Sequence, residues 1–165
     1  MRSIIFDLDL TLVDSTIAEQ ARKERNWSYV YSLIPQFKVY EGLEEVFDII
    51  RKHSIKTCIV STSPRPYIEK VIAQFNIPCK YIVSYHDAKS IKPHPAQMLK
   101  ALEVMGEPCE KVISFGDRVI DIQASNAAYI ESVACFWGTK ERKELINSEY
   151  RHAIVKPSEI ITLIR

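Results

Sequence analysis

Short apolar runs alternate along the chain with segments whose apolar residues recur every three or four positions. Six runs rich in β-branched residues predict buried strands: SIIF (3–6), KTCIV (56–60), KYIVS (80–84), KVISF (111–115), SVACFW (132–137) and HAIVK (152–156). Between them, the apolar spacing of residues 43–50, 68–75 and 98–105 fits one face of an α-helix. Pro66 and Pro95 suit the first turns of the last two helices.

Strands that alternate with helices predict a parallel sheet, because each return to the same edge of the sheet requires a crossover. We therefore expect an α/β fold, with a doubly wound, mainly parallel, Rossmann-like sheet in three layers. Residues 1–165 contain no repeat, low-complexity segment or linker rich in glycine and serine, so we expect a single domain.

Net charge and composition give little information about partners. The chain has 22 Lys and Arg against 21 Asp and Glu, and this net charge of +1 predicts no broad basic surface for nucleic acid. The N-terminal apolar run is too short for a signal peptide and no long apolar stretch follows, so we expect a cytoplasmic protein without a membrane partner. The four cysteines form no CxxC motif, and we interpret them as structural.

Polar side chains follow four of the predicted strands at their carboxyl ends, where open α/β sheets bind ligands. They are Asp7, Asp9 and Thr11 after the first strand, Ser61 and Thr62 after the second, Lys92 in the loop after the third, and Asp117 and Asp121 after the fourth. Each residue alone has an ordinary interpretation, as a turn hydroxyl, a solvated lysine or an acid at a helix start. Independent surface roles do not, however, predict that all of them lie at one edge of one sheet. Asp7 is the hardest to explain, since a carboxylate directly after a buried run loses solvation unless a cation compensates it.

A hard cation would supply this compensation. Mg²⁺ prefers oxygen ligands and usually binds through one or two carboxylates while it keeps waters that a phosphate can replace. We predict that Asp7 and Asp117 are its carboxylate ligands and that the backbone carbonyl of Asp9 is a third. Phosphoryl transfer also needs a nucleophile and a proton donor, roles that Asp7 and Asp9 can fill, while Ser61 and Lys92 can stabilise the non-transferring oxygens.

Four motifs, in this order, resemble those of the haloacid dehalogenase superfamily of phosphatases: DLDLT (7–11), the serine of IVSTS (59–63), the lysine of KPHP (92–95) and GDRVID (116–121). The run of KPHP followed by GDRVID resembles in particular the phosphoglycolate phosphatase-like branch. The resemblance implies a magnesium-dependent phosphomonoesterase that forms an aspartyl phosphate, with Asp7 as the nucleophile and Asp9 as the general acid and base. The roles that it implies for the other motif residues are phosphate contacts for Ser61 and Lys92, a magnesium ligand for Asp117, and support of the metal site for Asp121.

Two residues of the motifs differ from the resembling family without changing the chemistry. Leu10 stands where many members have glycine, and Thr62 stands where the related branch often has asparagine. We expect Thr11 to support the loop at the substrate site, with Thr62 as a further substrate contact. Arg65 and Arg118, each close behind a motif, are candidate contacts for substrate anions because the guanidinium fork matches phosphate oxygens.

Residues 14–41 stand where relatives that act on small phosphate esters insert a helical cap, and we expect a reduced cap there. Trp27, Val30, Tyr31 and Ile34 follow one another at helical spacing, which packing on the core would explain. The basic residues of the first half, Arg22, Lys23 and Arg25, either meet an anionic substrate or form an ordinary solvated face. In both cases we expect an open site that could admit a bulky substrate, including a protein or nucleic-acid phosphate.

Two other classes of protein remain open. A receiver-type phospho-acceptor domain also combines an aspartate, a hydroxyl and a lysine in an α/β fold, but the order of the motifs argues against it. A binding or regulatory module on a phosphatase scaffold would keep the fold without the catalysis. Such a module would be expected to have lost a motif residue. The chain keeps all six residues to which the resemblance gives a role: Asp7, Asp9, Ser61, Lys92, Asp117 and Asp121.

Overall fold

The computed structural model describes all 165 residues, from Met1 to Arg165. The strands are β1 (Ser3–Phe6), β2 (Val13–Asp14), β3 (Lys38–Val39), β4 (Thr57–Val60), β5 (Tyr81–Val83), β6 (Val112–Gly116), β7 (Glu131–Cys135) and β8 (His152–Ile154). The α-helices are α1 (Glu19–Lys23), α2 (Trp27–Leu33), α3 (Leu43–Lys52), α4 (Arg65–Phe75), α5 (Ala96–Met105), α6 (Val119–Ala127), α7 (Arg142–Ile146) and α8 (Ile160–Ile164). None of these helices combines the length and the apolar character that a membrane crossing would need.

Six strands form one parallel sheet in the order β5-β4-β1-β6-β7-β8. β1 lies at its centre and pairs in parallel with β4 on one side and with β6 on the other. All six predicted strands are present, with ends that differ from the prediction by at most two residues. The predicted doubly wound α/β fold is therefore confirmed.

Helices cover both faces of the sheet because successive residues of a strand point to opposite sides. Ile4 and Phe6 of β1 belong to the apolar cluster that includes residues of α3, α4 and α8, whereas Ile5 belongs to the cluster that includes residues of α5 and α6. Cys58 and Cys135 are buried free thiols within these clusters, in keeping with a structural role. The result is the three-layer arrangement that the alternation of elements predicts.

The apolar period predicts α3, α4 and α5 but not α6. Pro66 lies in the first turn of α4, as expected, whereas Pro95 precedes α5 as its N-cap residue. Residues 119–127 (VIDIQASNA) form a helix without a regular apolar stripe, because the side chains that it buries include Asp121 and Ser125. The site residue Asp121 therefore lies in the first turn of a helix that the pattern does not reveal.

Residues 14–41 fold as α1 and α2, with single turns of 3₁₀-helix, and β2 pairs antiparallel with β3 at the ends of this segment. Val30 and Ile34 are buried in the larger core cluster, and Trp27 and Tyr31 pack against it. The apolar stripe of this segment therefore packs on the core, as its helical spacing suggested.

Candidate active site

Most of the residues predicted from the strand ends lie around one cavity at the carboxyl edge of the sheet. The cavity has a volume of about 580 Å³ and is lined mainly by polar and charged side chains. The predicted site residues among its lining are Asp7, Asp9, Ser61, Thr62, Lys92, Asp117, Arg118 and Asp121. Thr11 and Arg65 are not part of the lining.

Lys92 lies at the centre of a buried ionic cluster and is only 4% exposed. Its Nζ donates hydrogen bonds to Asp7 Oδ1 at 2.9 Å, to Asp121 Oδ1 at 2.6 Å and to the carbonyl of Val60 at 3.0 Å. Burial acts to lower the pKa of Lys92, but the two carboxylates outweigh it and raise the pKa above its ordinary value. Lys92 is therefore a fixed, protonated cation and not a solvated surface lysine.

Three acids surround the position that a metal ion would take. One carboxylate oxygen from each of Asp7, Asp117 and Asp121 lies within 4.8 Å of the others. Burial raises the pKa of Asp7 to about 6 despite the opposing charge of Lys92, and it raises the pKa of Asp117 well above the usual range, with the neighbouring acids adding to the rise. Asp117 Oδ1 accepts a hydrogen bond, but its buried Oδ2 has no partner. A bound cation would satisfy this oxygen and offset the repulsion between the acids, so the all-oxygen donor set fits a hard divalent metal.

Asp121 is held by neighbours on both of its carboxylate oxygens. Oδ1 accepts from Lys92, and Oδ2 accepts the backbone N–H of Arg118 at 3.0 Å. Gly116 makes room for this side chain, since a Cβ on Gly116 would lie 2.4 Å from Asp121 Cβ. This arrangement favours a supporting role for Asp121 over direct metal ligation.

The backbone fixes the separation of the two acids that remain as direct ligands. The N–H of Asp7 donates to the carbonyl of Phe115 at 3.0 Å, so the ladder between β1 and β6 extends one residue beyond β1. Asp117 follows β6 directly. Asp7 and Asp117 are therefore placed by the pairing of the two central strands and not by a flexible loop.

Asp9 lies outside the group of three acids and has its own set of partners. Its Oδ1 accepts hydrogen bonds from the hydroxyls of Ser15 at 2.6 Å and Tyr67 at 2.5 Å. Its Oδ2 forms an ion pair with Arg22 Nη1 at 2.9 Å. With its carboxylate engaged in this way, Asp9 has a backbone carbonyl that is still available as a metal ligand, which stays a prediction.

The loop that carries Asp9 turns sharply at Leu10, which has a φ of +63°. Residues other than glycine seldom adopt this left-handed backbone conformation, because their Cβ atom crowds the backbone. This gives a physical reason for the glycine that many members of the resembling family have at this position. The next residue, Thr11, is fully buried, and its hydroxyl donates to Asp117 Oδ1 at 3.0 Å. Thr11 therefore orients a candidate metal ligand, in keeping with its expected support of the loop, and as a fully buried residue outside the cavity lining it is not placed to contact a substrate.

The two arginines behind the motifs differ in position. Arg65 Nη2 donates to Asp87 Oδ2 at 2.8 Å and to the carbonyl of Ile82 at 3.0 Å, so its fork is engaged away from the cavity and the expected substrate contact is corrected. Arg118 does line the cavity, although its Nε pairs with Glu141 Oε1 at 3.3 Å. Of the two, only Arg118 is placed to meet a substrate.

The sequence does not reveal the partners of Asp9: Tyr67 has no signal there, and Arg22 is only one of several basic residues in a charged run. Arg22 belongs to α1, and its side chain is 20% exposed. Tyr67 is fully buried in the first turn of α4, where burial, followed by the charge of Asp9, raises its pKa and keeps its hydroxyl protonated. Apolar periodicity carries no information about polar contacts between distant segments, and the charged run around Arg22 is typical of a solvated face.

Helix α1 also contributes to the lining of the cavity. Lys140, in the loop after β7, forms an ion pair with Glu19 of α1, and its hydrogen bond lowers the pKa of Glu19. Both residues line the cavity. An ion pair therefore links α1 to the loop after β7 within the cavity lining, and the expectation of an open site stays a prediction.

Comparison with known proteins identifies the family. The family model described as haloacid dehalogenase-like hydrolase matches residues 19–135. The chain belongs to this family, so its resemblance to the family is confirmed. Among curated relatives, it is 26% identical over 210 positions to the phosphoglycolate phosphatase of Aquifex aeolicus, covering 99% of this chain and 97% of that protein. It is 28% identical over 131 residues to the pyrophosphatase PpaX of Bacillus mycoides, covering 76% of this chain and 59% of that protein.

Solved structures share the fold across the whole chain. A haloacid dehalogenase-superfamily hydrolase of subfamily IA, variant 1, from Geobacter sulfurreducens has a TM-score of 0.79 at 19% identity, covering 99% of both chains. Several curated relatives are longer than the matched region, and the chain spans 46% to 65% of their length. The comparisons therefore establish the family and the fold, and the reaction and substrate are matters for proposal.

Proposed function

We propose that the protein is a magnesium-dependent phosphomonoesterase that works through an aspartyl phosphate on Asp7. The observation that carries the proposal is the buried, unpartnered Oδ2 of Asp117 beside the ionic cluster of Asp7 and Lys92. Relatives that are named phosphatases and pyrophosphatases support the reaction class. No observation in the structure favours a module without catalysis.

Asp7 and Asp9 have different roles in both half-reactions. A carboxylate oxygen of Asp7 attacks phosphorus as the bond from phosphorus to the ester oxygen breaks, and the departing oxygen takes a proton from Asp9, which enters this step as the protonated acid. A water molecule then attacks phosphorus and gives a proton to the Asp9 carboxylate, while the bond between phosphorus and Asp7 breaks and inorganic phosphate leaves. Lys92 holds Asp7 Oδ1, which orients the carboxylate for attack.

The remaining lining residues complete a phosphate site. Mg²⁺ held by Asp7 and Asp117, with the carbonyl of Asp9, would supply positive charge to the oxygens of the transferring group. The Ser61 hydroxyl accepts the N–H of Ser63 at 3.1 Å, so its own proton is free to donate to a phosphate oxygen. Thr62 lines the same side of the cavity and offers a second hydroxyl.

Residues 14–41 serve, in this proposal, as a reduced cap on a single domain of residues 1–165. This segment contributes Glu19, Arg22, Lys23, Arg25 and Trp27 to the lining. The alignment with the Aquifex aeolicus relative extends over 210 positions although this chain has 165 residues, so that relative contains residues without a counterpart here. A cavity of about 580 Å³ is of the size that small molecules occupy, which favours a small phosphorylated metabolite over a phosphoprotein or a nucleic-acid end.

Hydrolysis of p-nitrophenyl phosphate, with and without Mg²⁺, tests the proposal. We expect metal-dependent turnover in the parent and none above background in Asp7→Asn, because the amide cannot attack phosphorus. Acid quenching during turnover should trap phosphate on the parent protein only. Asp48→Asn, which changes an aspartate side chain that is 78% exposed, is the matched control and should keep full activity. Equal turnover in the parent and Asp7→Asn would show that Asp7 is not the nucleophile.

A further inference from the structure

A fully buried glutamine, Gln97, lies in the first turn of α5 and outside the cavity lining. Glutamine side chains are mostly exposed in proteins, because their amide loses water on burial unless it finds hydrogen-bond partners. The apolar side chains of α5 that pack against the sheet include Met98, Ala101 and Met105. Packing of this helix therefore does not by itself require a polar side chain at position 97.

Both ends of the Gln97 amide are hydrogen-bonded to the backbone of other segments. Its Oε1 accepts the N–H of Lys92 at 3.2 Å. Its Nε2 donates to the carbonyl of Ser61 at 2.8 Å and to the carbonyl of Ser84 at 3.0 Å. Among neutral side chains, only the amides of asparagine and glutamine combine an acceptor oxygen with two N–H donors on one planar group, and asparagine is one methylene shorter. The three contacts therefore make full use of what glutamine offers.

The backbone groups that Gln97 contacts lie where the strands of the sheet have ended. Ser61 follows β4 and Ser84 follows β5, and the N–H of Ser61 still donates to the carbonyl of Val83 at 3.0 Å. The carbonyls of Ser61 and Ser84 come after this bond, and both accept from Gln97. Ser61, Ser84 and Lys92 are each at most 4% exposed, so bulk water does not replace the amide at these groups.

Gln97 connects two residues that have roles in the proposed reaction. The Ser61 hydroxyl has a proton to donate to a phosphate oxygen, and Lys92 orients the Asp7 carboxylate. The ammonium of Lys92 also donates to the carbonyl of Val60, the last residue of β4, at 3.0 Å. Gln97 joins the backbone N–H of the same lysine to the carbonyl of the next residue, Ser61. Lys92 is therefore anchored to the end of β4 both through its side chain and through its backbone.

We propose that Gln97 is a positioning residue of the phosphate site, which fixes the Ser61 hydroxyl relative to the carboxylate that Lys92 orients. This inference rests on the proposed function and adds to it a residue that contacts no substrate. Without the amide, one N–H and two carbonyls would be buried without partners, so the loops that carry Ser61 and Lys92 would shift to regain them. A shift of about 1 Å in a catalytic group can cost about a hundredfold in rate, so activity would fall in protein that is still folded.

Gln97→Met removes the amide but keeps a flexible side chain of similar length and similar helix propensity. For p-nitrophenyl phosphate with Mg²⁺, kcat/KM should fall about ten- to a hundredfold, and the inhibition constant of inorganic phosphate should rise because the phosphate site is distorted. Ser132→Ala is the control for the loss of a buried hydrogen bond. Ser132 is fully buried near the start of β7, at the opposite edge of the sheet, and its hydroxyl donates to Asn126 Oδ1 at 2.7 Å. This control should lower the urea midpoint of unfolding but leave both kinetic quantities unchanged.

A second variant, Gln97→Glu, gives a pH profile that a role in packing alone would not produce. The neutral form of the new carboxyl group can accept the N–H of Lys92 and donate to one carbonyl, whereas the ionised form would face two carbonyl oxygens that repel it. Burial without a paired cation raises the pKa of such a group, so it should ionise between about pH 5 and pH 9. The ratio of kcat/KM between Gln97→Glu and the parent should therefore fall as the pH rises, because ionisations of the parent site cancel in the ratio. The same ratio for Gln97→Met should not vary with pH.

Several outcomes would overturn the inference, with circular dichroism restricting each comparison to folded protein. Parent-like kcat/KM and phosphate inhibition in Gln97→Met would do so. An equal loss of kcat/KM in Ser132→Ala would also do so, since it would assign the effect to general destabilisation. If Gln97→Met did not fold, a pH-independent ratio for Gln97→Glu would still refute the role. No turnover by the parent would refute the proposed phosphatase itself, whereas turnover that the Gln97 variants retain would refute only the role of Gln97.

Discussion

Replacement of Asp7 by asparagine is expected to stabilise the metal-free protein at neutral pH, although it removes the proposed nucleophile. Burial, only partly offset by Lys92, raises the pKa of Asp7 from 3.8 to about 6 in the folded state. The folded protein therefore holds this proton more tightly than the unfolded chain does. Its free energy of unfolding must fall as the pH rises from 3.8 through 6, because the folded state then has to lose the proton. Asparagine carries no such proton, so the variant does not suffer this loss.

The size of the effect follows from the shift. The two pKa values differ by about two units, and each unit corresponds to about 1.4 kcal/mol, so the charged Asp7 side chain costs about 3 kcal/mol above pH 6. The variant should gain most of this difference over the parent between pH 4 and pH 7. Such a value is a large fraction of the stability of an ordinary domain.

Urea unfolding in EDTA at several pH values between 4 and 7.5 measures this difference directly. Asp48→Asn is the control for a change of net charge. The difference in the free energy of unfolding between Asp48→Asn and the parent should stay constant with pH. Mg²⁺ should narrow the gap between the parent and Asp7→Asn, because a ligand that binds only the folded parent adds to its stability. A parent that is as stable as Asp7→Asn at pH 7 in EDTA would refute the electrostatic account of the acid cluster.

Three further predictions concern the neighbours of this cluster. Asp9→Asn should slow hydrolysis of an alkyl phosphate more than that of p-nitrophenyl phosphate, since a poor leaving group depends more on the proton donor, and equal slowing would argue against that role. Tyr67→Phe removes the hydroxyl that lies 2.5 Å from Asp9 Oδ1 but keeps the packed ring, so the free energy of unfolding in urea should fall by about 1 kcal/mol. Unchanged stability together with unchanged alkyl phosphate turnover would mean that this hydrogen bond contributes nothing. Gly116→Ala brings a Cβ to within 2.4 Å of Asp121 Cβ, which must displace the Asp121 side chain. The free energy of unfolding should fall by about 1 to 3 kcal/mol and most of the activity should be lost. Parent-like stability and activity would mean that this close approach is not needed.

The strands of this protein could be predicted because a central parallel strand is buried on both faces and leaves a continuous apolar run in the sequence. The same reasoning places the acids that follow β1 and β6 at one edge of the sheet, where the structure brings Asp7 and Asp117 together. The order of the motifs along the chain, with the rule that open α/β sheets bind ligands at the carboxyl ends of their strands, was sufficient to predict this part of the site. β2 and β3, with two residues each, are too short to leave a pattern.

The environment of Asp9 could not be predicted, for a different reason. Arg22, Tyr67 and Ser15 reach Asp9 from three separate places in the chain, and none of them follows an apolar period that would indicate where its side chain points. A charged helix of five residues gives the same sequence signal whether it faces solvent or a cavity. The position of Arg65 was unpredictable in the same way, since its partner Asp87 lies in a loop.

The hydrogen bond from the N–H of Asp7 to the carbonyl of Phe115 has a consequence for how the site withstands thermal fluctuation. It belongs to the ladder of the two central strands, so its amide hydrogen should exchange with solvent only when the whole protein unfolds. Arg22, in contrast, lies on a helix of five residues that can open at a small fraction of that free energy. The acids of the site and the arginine that pairs with Asp9 thus lie at opposite ends of the stability range, and α1 can fray or be remodelled while Asp7 and Asp117 stay in register.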